Sequence, residues 1–110
     1  MQETADALKP IVSLISKSEK ALRKVAPGTW QHSMLEANLK ALRIAHALME
    51  EGPPIKTRFP QNELEDARRS MASMIAKTEE AQAKFSSGTS QHTLLRNRRH
   101  ALKVALALID

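Results

Sequence analysis

The pentapeptide Gly28-Thr29-Trp30-Gln31-His32 returns sixty residues later as Gly88-Thr89-Ser90-Gln91-His92. The same offset sets Glu3, Asp6 and Ala7 against Glu63, Asp66 and Ala67, and Lys17, Glu19 and Ala21 against Lys77, Glu79 and Ala81. It also sets Leu35, Ala41, Leu42, Ala45, Ala47 and Leu48 against Leu95, Ala101, Leu102, Ala105, Ala107 and Leu108. Self-similarity at one offset predicts two copies of a single supersecondary unit, each too small to bury its apolar face alone. The repeat therefore constrains the fold before any single residue is interpreted.

Each copy reads as two helices. Leu8, Ile11, Ile15, Leu22 and Val25 recur at spacings of three, four and seven, with Leu14 and Ser18 alongside, which predicts a helix over 3–26 with one apolar stripe. Pro10 either lies inside that helix, removing a backbone donor, or marks a later start near Leu8 or Lys9. The second copy has Ser70 at the matching position, so the repeat does not require the proline. Pro27 disfavours helix at Ala26, and Gly28 supplies the left-handed conformation that closes a helix. Thr29 then caps the next helix by accepting the backbone N–H of Gln31 or His32. So short a hinge folds two helices back on each other. The second helix is expected over 30–50, with Leu35, Leu39, Leu42, Ala45 and Met49 inward and His46 at the border.

Residues 51–62, EGPPIKTRFPQN, hold three of the five prolines and read as a partly extended linker. The second copy predicts a helix over 63–86, with Met71, Met74, Ile75, Thr78 and Phe85 inward. Its partner is expected over 90–110, with Leu95, Leu102, Ala105 and Ile109 inward. The expected fold is all-α: two tandem antiparallel helical hairpins (3–50 and 63–110), related by internal duplication and joined by the 51–62 linker. Together they form a four-helix bundle within one domain, 1–110. The linker leaves open whether the two hinges lie at the same end.

A chain of 110 residues can enclose one modest core without cross-links, and the absence of cysteine excludes disulfides, zinc–thiolate sites and thiol nucleophiles. The opening MQETADALKP has no basic segment followed by an apolar run, so no signal peptide is expected in it, and a cytoplasmic location is the reading. No apolar run approaches the roughly 20 residues of a membrane span. The net charge of +5 is spread along the chain, and aromatic content is only 3%, which makes the core aliphatic and offers few rings for stacking on bases.

Candidate chemistry is sparse. His32 and His92 occupy matching hinge positions and could pair as metal ligands or as an acid–base couple. Two histidines are too few for a metal site, and Glu36, one turn after His32, is matched by Arg96. Gly28, Thr29, Gln31, His32 and their counterparts Gly88, Thr89, Gln91 and His92 are therefore read as turn and cap. Glu19, bordering the apolar stripe, is read as an interhelical hydrogen-bond or ion-pair partner, roughly opposite Asn38. No phosphate-binding glycine loop, nucleophile elbow or paired-carboxylate motif is present, so no catalytic residue, cofactor, metal or small-molecule substrate is inferred.

The fourth helix is where the copies diverge. Glu36, Asn38, Leu39 and Lys40 give way to Arg96, Arg98, Arg99 and His100, followed by Lys103. At helical spacing Arg96, Arg99, His100 and Lys103 form a cationic strip of about two turns. It is read as a solvated face, with an anionic partner as the alternative. Replacement of Leu39 by Arg99 predicts a less buried edge in the second copy. Trp30, the only tryptophan, is expected to pack over the hinge or a neighbouring helix; otherwise it is an exposed anchor for a partner. The functional expectation is a non-enzymatic helical module acting through a protein partner or self-association, with no membrane involvement. The alternative is nucleic-acid binding through the basic face of the fourth helix.

Overall fold

The turn threonines set the phase of two of the four long helices. In the computed structural model, which describes the backbone of residues 2–110 and the side chains of 4–110, Thr29 Oγ1 accepts the His32 backbone N–H at 3.2 Å. Thr89 does the same for His92, also at 3.2 Å. Gly28 and Gly88 precede these caps with φ of 85° and 93°, a region that side chains with a Cβ rarely enter. The resulting elements are α1 (Gln2–Lys24), α2 (Trp30–Glu51), a 3-10 helix (Pro53–Arg58), α3 (Gln61–Gln82) and α4 (Ser90–Ile109). No strand occurs among the described residues. Pro10 lies inside α1, so the helix begins ahead of it.

α2 and α4 pack against each other and against both remaining helices, leaving α1 and α3 in outer positions. Ala41, Ala45, Ala101 and Ala105 are all enclosed on these two central helices. Small side chains let helix axes approach closely, and Leu42, Leu48, Leu102 and Ile109 fill the space beside them. From the outer helices come Ala7 and Ile11 of α1 and Leu64, Ala67, Met71 and Ile75 of α3.

The core draws mainly on one half of each helix: the first half of α1, the first two thirds of α3 as far as Ile75, and the second half of α2 and α4. The Cα envelope measures 41 × 39 × 19 Å. A helix of 22 residues, such as α2, is about 33 Å long, so two nearly equal long dimensions require the helices to cross steeply. The molecule is a slab two helices thick.

Several expected positions move for this reason. Leu8, Ile15, Leu22 and Val25 are only half-buried, whereas Ala7 is fully enclosed. Phe85, expected inward, is exposed: α3 ends at Gln82, and the turn bonds from Ala83, Lys84 and Phe85 carry the chain away from the core. α2, being central, buries a wider face than its stripe implied, adding Ala41, Ile44 and Leu48. The linker is compact rather than extended. Its prolines start a 3-10 helix that buries Ile55, while Lys56 Nζ donates to the Asp110 backbone oxygen and Arg58 pairs with Glu51 at 3.4 Å.

Two stability outcomes follow. Leu42→Ala, which opens a void at a fully enclosed position, lowers the unfolding free energy by about 2–5 kcal/mol in urea titration, against about 0.5 or less for Val12→Ala on the surface. Thr89→Ala removes the α4 cap and costs about 1 kcal/mol in the same assay.

Candidate functional site

The α4 cap places residues 94–103 of that helix alongside the first half of α1. Between them runs an open groove of about 790 Å³. Lys9, Pro10 and Ser13 line it from α1, with Asp6; Leu94, Arg96, Asn97, Arg98, Arg99, His100 and Lys103 line it from α4. Leu94 is 49% exposed, an apolar side chain set among cations.

The arginines of α4 do not act as one strip. Arg99 Nε donates to Glu79 Oε2 of α3 at 2.7 Å, and Lys103 Nζ lies 3.9 Å from the same oxygen. The two cations share this one carboxylate, with Arg99 the closer. Arg96 and His100 are exposed, and Arg98 is half-buried with a buried Nε that has no hydrogen-bond partner. Among the described residues, Lys9, Arg96 and Arg98 have no carboxylate within ion-pair distance.

A second groove occupies the position sixty residues away, between α2 and α3. It is lined by Ala37, Lys40, Ala41, Asp66, Ala67, Arg69 and Ser70, and its volume is about 260 Å³. Asp66, Arg69 and Ser70 match Asp6, Lys9 and Pro10; Ala37 and Lys40 match Asn97 and His100. Here the cations are paired: Lys40 with Glu63 at 2.8 Å, and Arg69 with Asp66 at 3.4 Å. The two grooves share a backbone setting. They differ in size and in charge balance.

Glu79 carries a perturbed carboxyl. The hydrogen bond from Arg99 holds its pKa below the ordinary glutamate value; desolvation opposes this, and the charges of Arg99 and Lys103 reinforce it. The matching residue of the first copy, Glu19, pairs with Arg43 at 2.7 Å rather than lying opposite Asn38. Arg43 is the counterpart of Lys103, so one interhelical ion pair recurs, and Arg99 is the addition. Leu39, which Arg99 replaces, is buried, whereas Arg99 is 37% exposed.

The hinge residues stay apart. His32 Nδ1 meets Glu36 Oε1 at 3.2 Å, and His92 Nε2 meets Gln82 Nε2 at 3.3 Å, so the two rings engage different partners. Gln31 and Gln91 are exposed, with Gln91 accepting from Ser90 Oγ at 3.3 Å. Among the described residues, no three His, Cys, Asp or Glu side chains cluster as metal ligands. Trp30 is 71% exposed, contrary to the packing expected of it. It opens α2 at the end remote from the core, where nothing stands to cover it. Lys9 and Pro10 were not among the sequence candidates, because nothing local in α1 signals that α4 will lie against it.

The chain matches no protein-family model, no curated protein and no solved structure at a significant level. No helix of the described residues is long and apolar enough to cross a membrane.

The Glu79 pair has a pH signature. A folded pKa below the unfolded one contributes stability that is present above the unfolded carboxylate range and is lost as pH falls through the folded pKa. In Arg99→Gln, the Glu79 carboxyl titrates at higher pH by carbon-13 NMR, and the acid-side dependence of stability becomes shallower.

Proposed function

We propose that this chain is a non-enzymatic binding module, built from two helical hairpins related by duplication, and that the α1/α4 groove is where it takes a partner protein. The observation that carries this reading is the difference between the two matching grooves. A groove of about 260 Å³ with paired cations is what the shared architecture gives by default. The larger groove, of about 790 Å³, carries Arg96 and Arg98, whose counterparts Glu36 and Asn38 lie outside the smaller one. Leu94 and Pro10 add apolar surface, which suits a protein ligand. A cytoplasmic setting accords with the cysteine-free sequence.

Nucleic-acid binding is the second reading, favoured by the unpaired charges of Lys9, Arg96 and Arg98. It is weakened because Arg99 and Lys103 are already engaged by Glu79, and no aromatic side chain lines the groove. Self-association is the version of the first reading in which the partner is a second copy, with exposed Trp30 as its anchor.

Photocrosslinking in cells separates these readings. With p-benzoylphenylalanine in place of Leu94, the expected product is a protease-sensitive, nuclease-resistant adduct that Arg98→Ala abolishes and that the same label at Arg69 does not give. A nuclease-sensitive adduct would transfer the function to nucleic acid. An adduct of two copies would establish self-association, and no adduct at Leu94 would remove the groove from consideration.

A further inference from the structure

The α1/α4 groove combines three properties that together specify what fits it. Its free charges are positive: Lys9 on one wall, Arg96 and Arg98 on the other. Its lining is also apolar, through Pro10 and half-exposed Leu94. Its walls are two α-helices, whose backbone hydrogen bonds are closed within themselves apart from the one that Pro10 removes.

The last property decides the ligand's secondary structure. An extended peptide needs a sheet edge to take up its backbone N–H and C=O groups, and a groove between helices provides none. A helical ligand satisfies its own backbone and lays its side chains into the ridges of the walls. The dimensions agree with this. Leu94 to Lys103 spans nine residues of α4, about 14 Å along its axis, which faces roughly two and a half turns of a parallel or antiparallel helix. Arg96 and His100 stand one turn apart, matching carboxylates at i and i+4 on a helix lying alongside.

Charge alone would admit any polyanion. The apolar lining discriminates, because a phosphate backbone has nothing to place against Leu94 and Pro10, and no aromatic lines the groove to stack a base. We infer that the α1/α4 groove docks an acidic amphipathic helix of a partner protein, its apolar face on Pro10 and Leu94 and its carboxylates on Lys9, Arg96 and Arg98. This inference rests on the reading of the chain as a protein-binding module and supplies the chemistry of the partner. Arg96 and Lys9 fix the helix from opposite sides. Asp6, on the α1 wall, repels a carboxylate placed beside it and so helps set the register.

The test uses the whole chain and a fluorescein-labelled helical peptide with leucines along one face and glutamates at four-residue spacing along its edges. Three comparison probes accompany it: the same residues scrambled, a counterpart with lysines for glutamates, and single-stranded RNA of similar length. The expected result is anisotropy binding of the ordered peptide, about tenfold or more weaker for the scrambled one and absent for the lysine counterpart. Lys9→Glu and Arg96→Glu, at exposed positions, each weaken it by about tenfold, and Arg69→Glu in the other groove leaves it unchanged. Amide shifts of the unmutated chain concentrate at residues 9–13 and 94–103.

Equal binding of the ordered and scrambled peptides would overturn the inference, since charge alone would then suffice. Tighter binding of RNA, amide shifts confined elsewhere, or no binding of any probe would overturn it as well. If Leu94 crosslinks to a protein while the acidic helix does not bind, only the partner's chemistry is wrong. If neither occurs, the protein-binding reading falls with it.

Discussion

The close approach of α2 and α4 is the constraint on which the rest of this structure depends. Ala41, Ala45, Ala101 and Ala105 are enclosed on these two helices, and Leu42 and Leu102 beside them are fully buried. Two helices in contact at the centre leave α1 and α3 to pack from outside, each touching both. An aligned bundle would have brought all four helices into register along their whole length. Here the helices cross and share mainly the halves remote from the turns, which produces the thin slab and leaves both turn ends in solvent.

That crossing creates the two grooves. Each lies between the first half of an outer helix and the long central helix from the other copy, α1 with α4 and α3 with α2. Five lining positions of the smaller groove correspond to lining positions of the larger, whereas the counterparts of Arg96 and Arg98 do not line it. In the smaller groove Lys40 pairs with Glu63 and Arg69 with Asp66. Glu79 pairs with Arg99 and Lys103, and the lowered pKa of its carboxyl reports that pairing. Lys9, Arg96 and Arg98 line the larger groove with no carboxylate at ion-pair distance among the described residues.

The helices, the turns and the substitution of Arg96, Arg98, Arg99 and His100 into the second copy were legible in the sequence. They are local matters: Thr29 and Thr89 reach three residues ahead, and glycine permits a positive φ wherever it stands. The site was half legible. Its α4 wall showed as a divergence between copies, but Lys9 and Pro10 gave no sign, since membership of a groove depends on which helix packs opposite. Phe85 was expected inward and is exposed for the same reason, and of the two positions open to Trp30 the exposed one is found. An apolar side chain on a helix is buried only if the core extends to its end of that helix, and here it does not.

The sequence by itself determined that the chain is helical and where its turns fall, because each of these follows from interactions within a few residues. The tertiary structure decided how steeply the helices cross, which halves meet in the core, and which arginines of α4 find a carboxylate. Those outcomes depend on contacts between residues far apart in the chain, such as Glu79 with Arg99 and Lys40 with Glu63. They are settled by how side-chain volumes and charges fit across helix surfaces, and no local pattern encodes that fit.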